Sequence, residues 1–165
     1  MRNNYYTLTI MKTVLITGGT RGIGLSTAIK FLQKDWKVYI TSRKQENLDL
    51  VLTDHPGLKG FVARADDLAA ASETCIKIKD ETGSLDVLIN NAGTNPSGGS
   101  LMDVELSAVQ KTWDVNLMGP LMWTREAVKA GLSESVLNVC SVGGIRPSQY
   151  MGAYNISKAG LIYMT

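Results

Sequence analysis

Short runs of apolar, often β-branched residues alternate with longer stretches of mixed polarity along this chain. Each run is almost continuously hydrophobic, which is typical of strands that are buried on both faces of a parallel sheet. The runs predict five strands, over residues 13–17, 37–41, 61–65, 87–90 and 136–140. The stretches between and after them predict helices over residues 23–34, 46–52, 69–81, 107–129 and 154–164. This alternation indicates an α/β fold with a doubly wound parallel sheet and helices on both faces.

The length and composition are those of one ordinary globular domain. Of its 165 residues, 44% are hydrophobic and 19% are charged, which excludes a disordered chain. The formal net charge is only +2 and the basic residues are scattered, so we expect neither nucleic acid nor a membrane surface as a partner. No stretch is long and apolar enough to span a bilayer. Residues 1–11 lack the pattern of a secretion signal and are interpreted as an N-terminal extension, with Met1 and Met11 as alternative starts.

The cysteines and the single histidine suggest neither disulfides nor a metal site. Cys75 and Cys140 show no CxxC spacing, and we interpret both as free, buried thiols in a reducing cytoplasm. His55 precedes a Pro-Gly turn and is interpreted as a solvated loop residue. One histidine and two distant cysteines do not provide a metal-ligand set, so we expect no bound metal.

A glycine-rich turn joins the first predicted strand to the first predicted helix. Its sequence is Gly18-Gly19-Thr20-Arg21-Gly22-Ile23-Gly24. Glycines let the backbone turn sharply and approach a ligand without Cβ clashes. The helix that follows directs its free N–H groups and the positive end of its dipole at an anion, and a pyrophosphate is the natural occupant. A tight connection alone would also use glycines, but the position after the first strand favours a nucleotide.

The order of this and later motifs resembles the short-chain dehydrogenase/reductase family, and in particular its 3-oxoacyl carrier-protein reductase-like members. The turn TGGTRGIG fits the family's TGxxxGxG loop, and Asn90-Asn91-Ala92-Gly93 fits its NNAG motif. The set is completed by Asn116 on the long helix, Ser141 after the fifth strand, and the pair Tyr154 and Lys158. The resemblance covers residues from about 12 to 165 and implies a single NAD(P)-binding, Rossmann-like domain.

The residues that follow the second strand favour NADP(H) over NAD(H) as the cofactor. Many dinucleotide sites place a carboxylate after the second strand, against the ribose hydroxyls, but here that strand ends Ser42-Arg43-Lys44. Guanidinium groups bind phosphate in a bidentate manner, so Arg43 together with Arg21 favours a ribose 2′-phosphate. The alternative is that Arg43 and Lys44 are solvated bases at the start of a surface helix.

The resemblance implies further cofactor contacts after the third and fourth strands. Asn90 is expected to reach a ribose, while the small residues Ala92 and Gly93 let the chain pass beneath the cofactor. Asp67-Leu68 resembles the acidic position that contacts adenine, and the neighbouring Asp66 leaves the register open.

Tyr154 and Lys158 are spaced so that they lie on one face of a helix. Reduction of a carbonyl requires a hydride and a proton, and an ammonium one turn away suits a tyrosine for the proton transfer. The Ser141 hydroxyl can stabilise the developing negative charge. The resemblance implies that Lys158 also holds the nicotinamide ribose and that Asn116 supports a water linked to it. Tyr150 has no lysine at the matching position and is interpreted as a substrate-pocket wall or a packed loop aromatic.

Two functions from different classes remain open. The first is an oxidoreductase that transfers a hydride between NADP(H) and a ketone, a secondary alcohol or a 3-oxoacyl thioester. The family's chains normally continue past the position of Thr165, so we expect this sheet to lack the last strands of the family fold. The second is a truncated, catalytically inactive nucleotide-binding fragment or interaction module. A bare strand at 136–140 and uncovered apolar helix surfaces predict a homo-oligomer.

Overall fold

A computed structural model describes residues 11–96 and 98–165, and its centre is a five-stranded sheet. The strands are β1 (Thr13–Ile16), β2 (Lys37–Ser42), β3 (Leu58–Val62), β4 (Leu85–Asn90) and β5 (Leu132–Asn138). Their order in the sheet is β3-β2-β1-β4-β5, and every neighbouring pair is parallel. The predicted Rossmann-like α/β fold is confirmed. Residues 1–10, which include most of the predicted N-terminal extension, lie outside the described residues.

Six α-helices connect and flank the strands in the described part of the chain. They are α1 (Gly22–Leu32), α2 (Gln45–Asp54), α3 (Leu68–Thr82), α4 (Leu106–Trp113), α5 (Gly119–Lys129) and α6 (Gly152–Met164). A π-helical turn over Asp114–Met118 joins α4 to α5, and a short 3-10 turn over Val142–Gly144 precedes α6. Within the same residues, none of the helices combines the length and the hydrophobicity needed to cross a bilayer.

The hydrophobic core is divided by the sheet into two layers, because successive strand residues point to opposite faces. Val14 and Ile16 of β1 pack in one layer with Leu48 of α2. Leu15, between them, packs in the other layer with Ile78 of α3 and Trp123 of α5. All six side chains are at most 1% exposed. Burial on both faces explains why the central strands are apolar at consecutive positions.

The two outer strands differ from the predicted ranges. β3 occupies Leu58–Val62 rather than 61–65, and β5 occupies Leu132–Asn138 rather than 136–140. Among the described residues each of these strands pairs with one neighbour only, β3 with β2 and β5 with β4. Such a strand contains polar, exposed residues, as with the run from Ser133 to Ser135 in β5. A search for apolar runs therefore misses part of an outer strand.

The prediction of one long helix over residues 107–129 is wrong in one respect. The π-helical turn over Asp114–Met118 interrupts that helix. Pro120 has no backbone N–H, so a regular α-helix would lose the bond from position 120 to the carbonyl of Asn116. Instead, Gly119 N donates to Asp114 O, five residues earlier. Gly119 also lies close to the loop that follows β3, since a Cβ atom on Gly119 would be 2.6 Å from Ala65 O. The break thus places Asn116 within an irregular turn.

Candidate active site

Two adjoining clefts lie at the edge of the sheet where the strands have their carboxyl ends. The larger, here called the wide cleft, has a volume of about 620 Å³ and lies over the glycine-rich turn. The smaller, the narrow cleft, has a volume of about 400 Å³ and lies between the loop after β4 and helix α6. The two share Ile23, Asn91, Gly93 and Thr94 as lining residues. The chain leaves β1 and β4 in opposite directions here, which is where open α/β sheets bind ligands.

The glycine-rich turn forms a close-packed backbone cradle at the floor of the wide cleft. Gly18 has a φ of +66°, and a Cβ atom on it would lie 3.0 Å from the Cα atom of Ala92. A Cβ atom on Gly24 would lie 2.4 Å from both Asn91 Nδ2 and Gly18 O. Helix α1 begins at Gly22 without a side-chain cap, so its first N–H groups can bind an anion. Thr20 and Gly22 line the cleft here, whereas Gly19 packs against Ile40.

Basic side chains converge on the wide cleft. Arg21 comes from the glycine-rich turn, and Arg43 follows β2 as the sequence predicts. The lining also contains three further cations, Lys44, Arg64 and Lys111. Among the described residues, Asp66 is the only carboxylate that lines this cleft. Ser42 also lines the cleft, and its hydroxyl accepts a hydrogen bond from Lys44 N at 3.3 Å. The excess of positive charge suits a ligand that carries several phosphates.

The acid that faces the wide cleft is Asp66, and the predicted Asp67 has another role. Asp67 caps helix α3, because its Oδ1 accepts from Ala70 N at 3.0 Å. Leu68 lies outside the cleft lining and is 50% exposed. Asp66 accepts hydrogen bonds from Arg64 and from Lys111. Burial alone would raise the pKa of Asp66, but these two cations outweigh it and hold that pKa at about 2.

The narrow cleft contains the predicted pair Tyr154 and Lys158 on one face of α6. Lys158 is 4% exposed, and its Nζ donates to Val139 O at 2.7 Å. Burial lowers the pKa of Lys158. An ammonium has three N–H groups, so one bond to a carbonyl leaves others to donate to a ligand. Cys140 and Met151 also line this cleft. The expectation of two buried thiols therefore holds for Cys75 but not for the half-buried Cys140.

Ser141 lies next to the narrow cleft, directly after the lining residue Cys140. Its Oγ accepts a hydrogen bond from Gly143 N at 3.1 Å, and so caps the short 3-10 turn. A serine hydroxyl that accepts from a backbone N–H keeps its own hydrogen available for donation. The Ser141 side chain therefore has the capacity to donate to a substrate oxygen, although the residue itself is outside the cleft lining.

Asn116 is fully buried beneath the narrow cleft. Its Oδ1 accepts from Thr94 N and its Nδ2 donates to Thr94 O, each at 2.8 Å. Nδ2 also donates to the hydroxyl of Ser157 at 3.1 Å. The side-chain amide thus links the loop after β4 to helix α6.

Two sequence expectations differ from the observed placement of side chains. Asn90 does not reach either cleft, because its Nδ2 donates to Asn138 Oδ1 and Thr124 Oγ1 inside the protein. Asn91 lines both clefts instead, and its Nδ2 donates to the carbonyls of Thr17 and Gly18 at 2.9 Å. Tyr150 is 60% exposed and lies outside the cleft lining.

Sequence reasoning missed several residues of the clefts because they belong to no motif. Arg64 and Lys111 are single bases on different elements, and only the fold brings them to Asp66. Ser157 did carry a signal, since it lies between Tyr154 and Lys158 on the same helix. No group of three or more histidine, cysteine or acidic side chains that could hold a metal is found in residues 11–96 and 98–165.

Comparison with protein families and with curated proteins agrees on one group of relatives. The family model described as short chain dehydrogenase matches residues 12–165. Dehydrogenase/reductase SDR family member 4 of Homo sapiens is 34% identical over 166 residues, which cover 93% of this chain and 58% of that protein. The uncharacterized oxidoreductase YvrD of Bacillus subtilis (strain 168) is 31% identical over 159 residues, covering 93% and 60%. This chain therefore spans less than two thirds of the length of these curated relatives.

Solved structures of similar proteins include complexes with a nicotinamide cofactor. ElxO with NADP bound superimposes with a TM-score of 0.87 at 30% identity, covering 94% of this chain and 65% of that chain. An actinorhodin polyketide ketoreductase with NADPH superimposes with a TM-score of 0.90 at 26% identity, covering 94% and 62%.

Proposed function

This chain belongs to the short-chain dehydrogenase/reductase family, and from that premise we propose that it binds NADP(H) and transfers a hydride between the cofactor and a carbonyl or secondary alcohol. The substrate class that we propose is a ketone or a 3-oxoacyl thioester. The observation that carries the proposal is the continuity of the two clefts, which share Ile23, Asn91, Gly93 and Thr94. A ligand bound along both would have phosphates at the basic end and its other end beside Tyr154 and Lys158.

The residues of the wide cleft fit NADP(H). The close contact between Gly18 and Ala92 and the uncapped start of α1 suit a pyrophosphate held by backbone N–H groups. Arg21 and Arg43 would bind the ribose 2′-phosphate, because the residues directly after β2 are the bases Arg43 and Lys44 rather than an acid. Asp66, held ionised by Arg64 and Lys111, would accept from the base.

The residues of the narrow cleft fit the proton half of the reaction. NADPH, when bound, supplies the hydride that adds to the carbonyl carbon. Tyr154 would give its hydroxyl proton to the carbonyl oxygen, while Ser141 donates a hydrogen bond to the same atom. Lys158 would donate its remaining N–H groups to the ribose and favour the phenolate that Tyr154 leaves behind. In the oxidation direction each step is reversed.

Binding of the two reduced cofactors tests the first half of the proposal. Fluorescence titration is expected to give tighter binding of NADPH than of NADH. Arg43→Asp should weaken NADPH selectively by about 1.5–3 kcal/mol, the worth of a charge-assisted hydrogen bond. Lys34→Asp is the matched control, since Lys34 is an exposed base outside both clefts and the change in net charge is the same. Equal or tighter NADH binding would contradict the cofactor assignment.

Turnover tests the second half. Oxidation of NADPH with a panel of ketones and 3-oxoacyl thioesters should be detectable, and the preferred substrate names the class. Tight NADPH binding without turnover of any substrate would instead favour a nucleotide-binding module.

We further propose that the protein is cytoplasmic and forms homo-oligomers. The free thiols of Cys75 and Cys140 support a reducing compartment.

A further inference from the structure

The hydroxyl of Ser157 is buried behind the narrow cleft and touches neither cleft surface. Its Oγ donates to the backbone carbonyl of Tyr154 at 2.7 Å and accepts from Asn116 Nδ2 at 3.1 Å. The residue is 0% exposed. A serine hydroxyl has a single hydrogen, and here Tyr154 O receives it, so towards Asn116 the oxygen acts only as an acceptor. The direction of both bonds is therefore fixed.

The amide of Asn116 is held in one orientation by its three partners. Thr94 N donates to Oδ1, and the two Nδ2 hydrogens go to Thr94 O and to Ser157. Rotating the amide by half a turn would oppose donor to donor and acceptor to acceptor at Thr94. It would also face Nδ2 away from Ser157. The backbone of the loop after β4 is thus tied, through one amide and one hydroxyl, to the first turns of α6.

This connection spans the region where the proposed chemistry occurs. Gly93, next to Thr94, lies close to both Asn116 and Lys158. A Cβ atom on it would be 3.5 Å from Asn116 Oδ1 and 3.9 Å from Lys158 Nζ. Tyr154 and Lys158 flank Ser157 on α6. The separation between Gly93–Thr94 and the Tyr154–Lys158 face sets the width of the narrow cleft, and a small change in such a distance has a large effect on rate.

We propose that Ser157 is a positioning residue for the reaction, and that it acts through Asn116 and the Tyr154 backbone to fix the width of the narrow cleft. The inference rests on the proposed function. Because Ser157 lines neither cleft and bonds to none of the basic residues of the wide cleft, we expect its loss to affect the placement of reacting groups far more than the affinity for the cofactor.

The test compares Ser157→Ala with a matched loss of a buried hydroxyl elsewhere. Thr112 is also 0% exposed, and its Oγ1 donates to Ala108 O within its own helix, so Thr112→Val removes a similar helix bond. Ser157→Ala should lower kcat by about tenfold or more and leave the Kd for NADPH within about threefold, as expected for misplaced reacting groups. Hydrogen exchange at the Thr94 amide should become faster in the same variant. Thr112→Val should change none of these, and Ser157→Thr, which keeps the hydroxyl, should restore slow exchange and turnover.

The outcomes separate this inference from the proposed function. A kcat and a Thr94 exchange rate that are unchanged in Ser157→Ala overturn the inference, as does an equal loss in Thr112→Val. A parallel fall in NADPH affinity and kcat assigns Ser157 a purely structural role and also overturns it. If the unaltered chain shows no turnover, the proposed function fails, and Thr94 exchange then decides: faster exchange in Ser157→Ala alone supports the link, and unchanged exchange refutes it.

Discussion

Tyr154 and Tyr150 are close in sequence, but their surroundings differ. Tyr154 lies on α6, lines the narrow cleft and has Lys158 one helical turn away. Tyr150 precedes the helix with a φ of +62°, a conformation that a non-glycine residue adopts only at a cost. Its carbonyl accepts from Gly99 N at 2.9 Å, so this backbone conformation connects two loops. The ring of Tyr150 is largely in solvent, whereas Tyr154 lines the narrow cleft, so we expect Tyr154 rather than Tyr150 to transfer the proton.

Replacing each tyrosine by phenylalanine distinguishes their roles. Tyr154→Phe removes one oxygen and keeps the ring, so folding and NADPH binding should survive, while kcat falls by about a hundredfold or more through loss of the general acid. Tyr150→Phe is the control and should leave kcat within about twofold, because its hydroxyl lies outside the cleft. Steady-state kinetics with a substrate that the unaltered chain reduces measures both. Retained turnover in Tyr154→Phe would show that another group delivers the proton.

At the scale of elements, the sequence predicts the centre of the sheet better than its margins. β1 is buried on both faces, so consecutive apolar residues and the adjoining glycines identify it. β3 and β5 contain exposed polar residues, and only pairing with a neighbouring strand defines their ends. The π-helical turn depends on Pro120 and on the contact of Gly119 with Ala65, which lies on a different part of the chain. Local patterns carry no information about such a contact.

The same limit applies to the candidate site. Tyr154 and Lys158 were predictable because their spacing on one helix fixes their relation. The sequence could not predict whether Asp66 or Asp67 faces the cleft. Both residues follow β3, and only the start of α3 decides which of them becomes the helix cap. The ion pair between Asp66 and Lys111 joins the loop after β3 to helix α4, two segments that are distant in the sequence.

That ion pair predicts how Asp66 contributes to stability at different pH. Its pKa of about 2 in the folded protein lies below the ordinary value near 3.9 of an unfolded chain. The stabilisation is therefore present above about pH 4 and is lost as the pH falls towards 2. Asp66→Asn should lower the free energy of unfolding by about 1–2 kcal/mol at pH 7, and the deficit should shrink at pH 3. Urea unfolding at both pH values measures this deficit. The control is Asp49→Asn, which removes an exposed carboxylate on α2. A loss of unfolding free energy in Asp66→Asn that does not depend on pH would rule out the ionic origin.

For the whole molecule, the distribution of charge and apolar surface is uneven. The basic residues of the wide cleft lie at the carboxyl ends of the strands. Exposed large apolar side chains occur on several elements, but the three most exposed among the described residues lie on or beside α4 and α6, which pack against each other: Met102 is 90% exposed, Leu106 81% and Tyr163 92%. Scattered exposed apolar residues are normal, but large ones on adjoining elements are typical of an interface.

We therefore predict that the chain self-associates through the surface formed by α4 and α6. Removing apolar area from water stabilises association by roughly 25 cal/mol per Å², which favours pairing of these faces. Sedimentation at micromolar concentration should show a species larger than a monomer. Tyr163→Glu or Leu106→Glu should shift it towards the monomer, because a charge would have to be desolvated in the contact. Leu50→Glu is the control, since Leu50 is 68% exposed on α2 and lies on a different element. A clean monomer of the unaltered chain, or equal dissociation by all three variants, would argue against this surface.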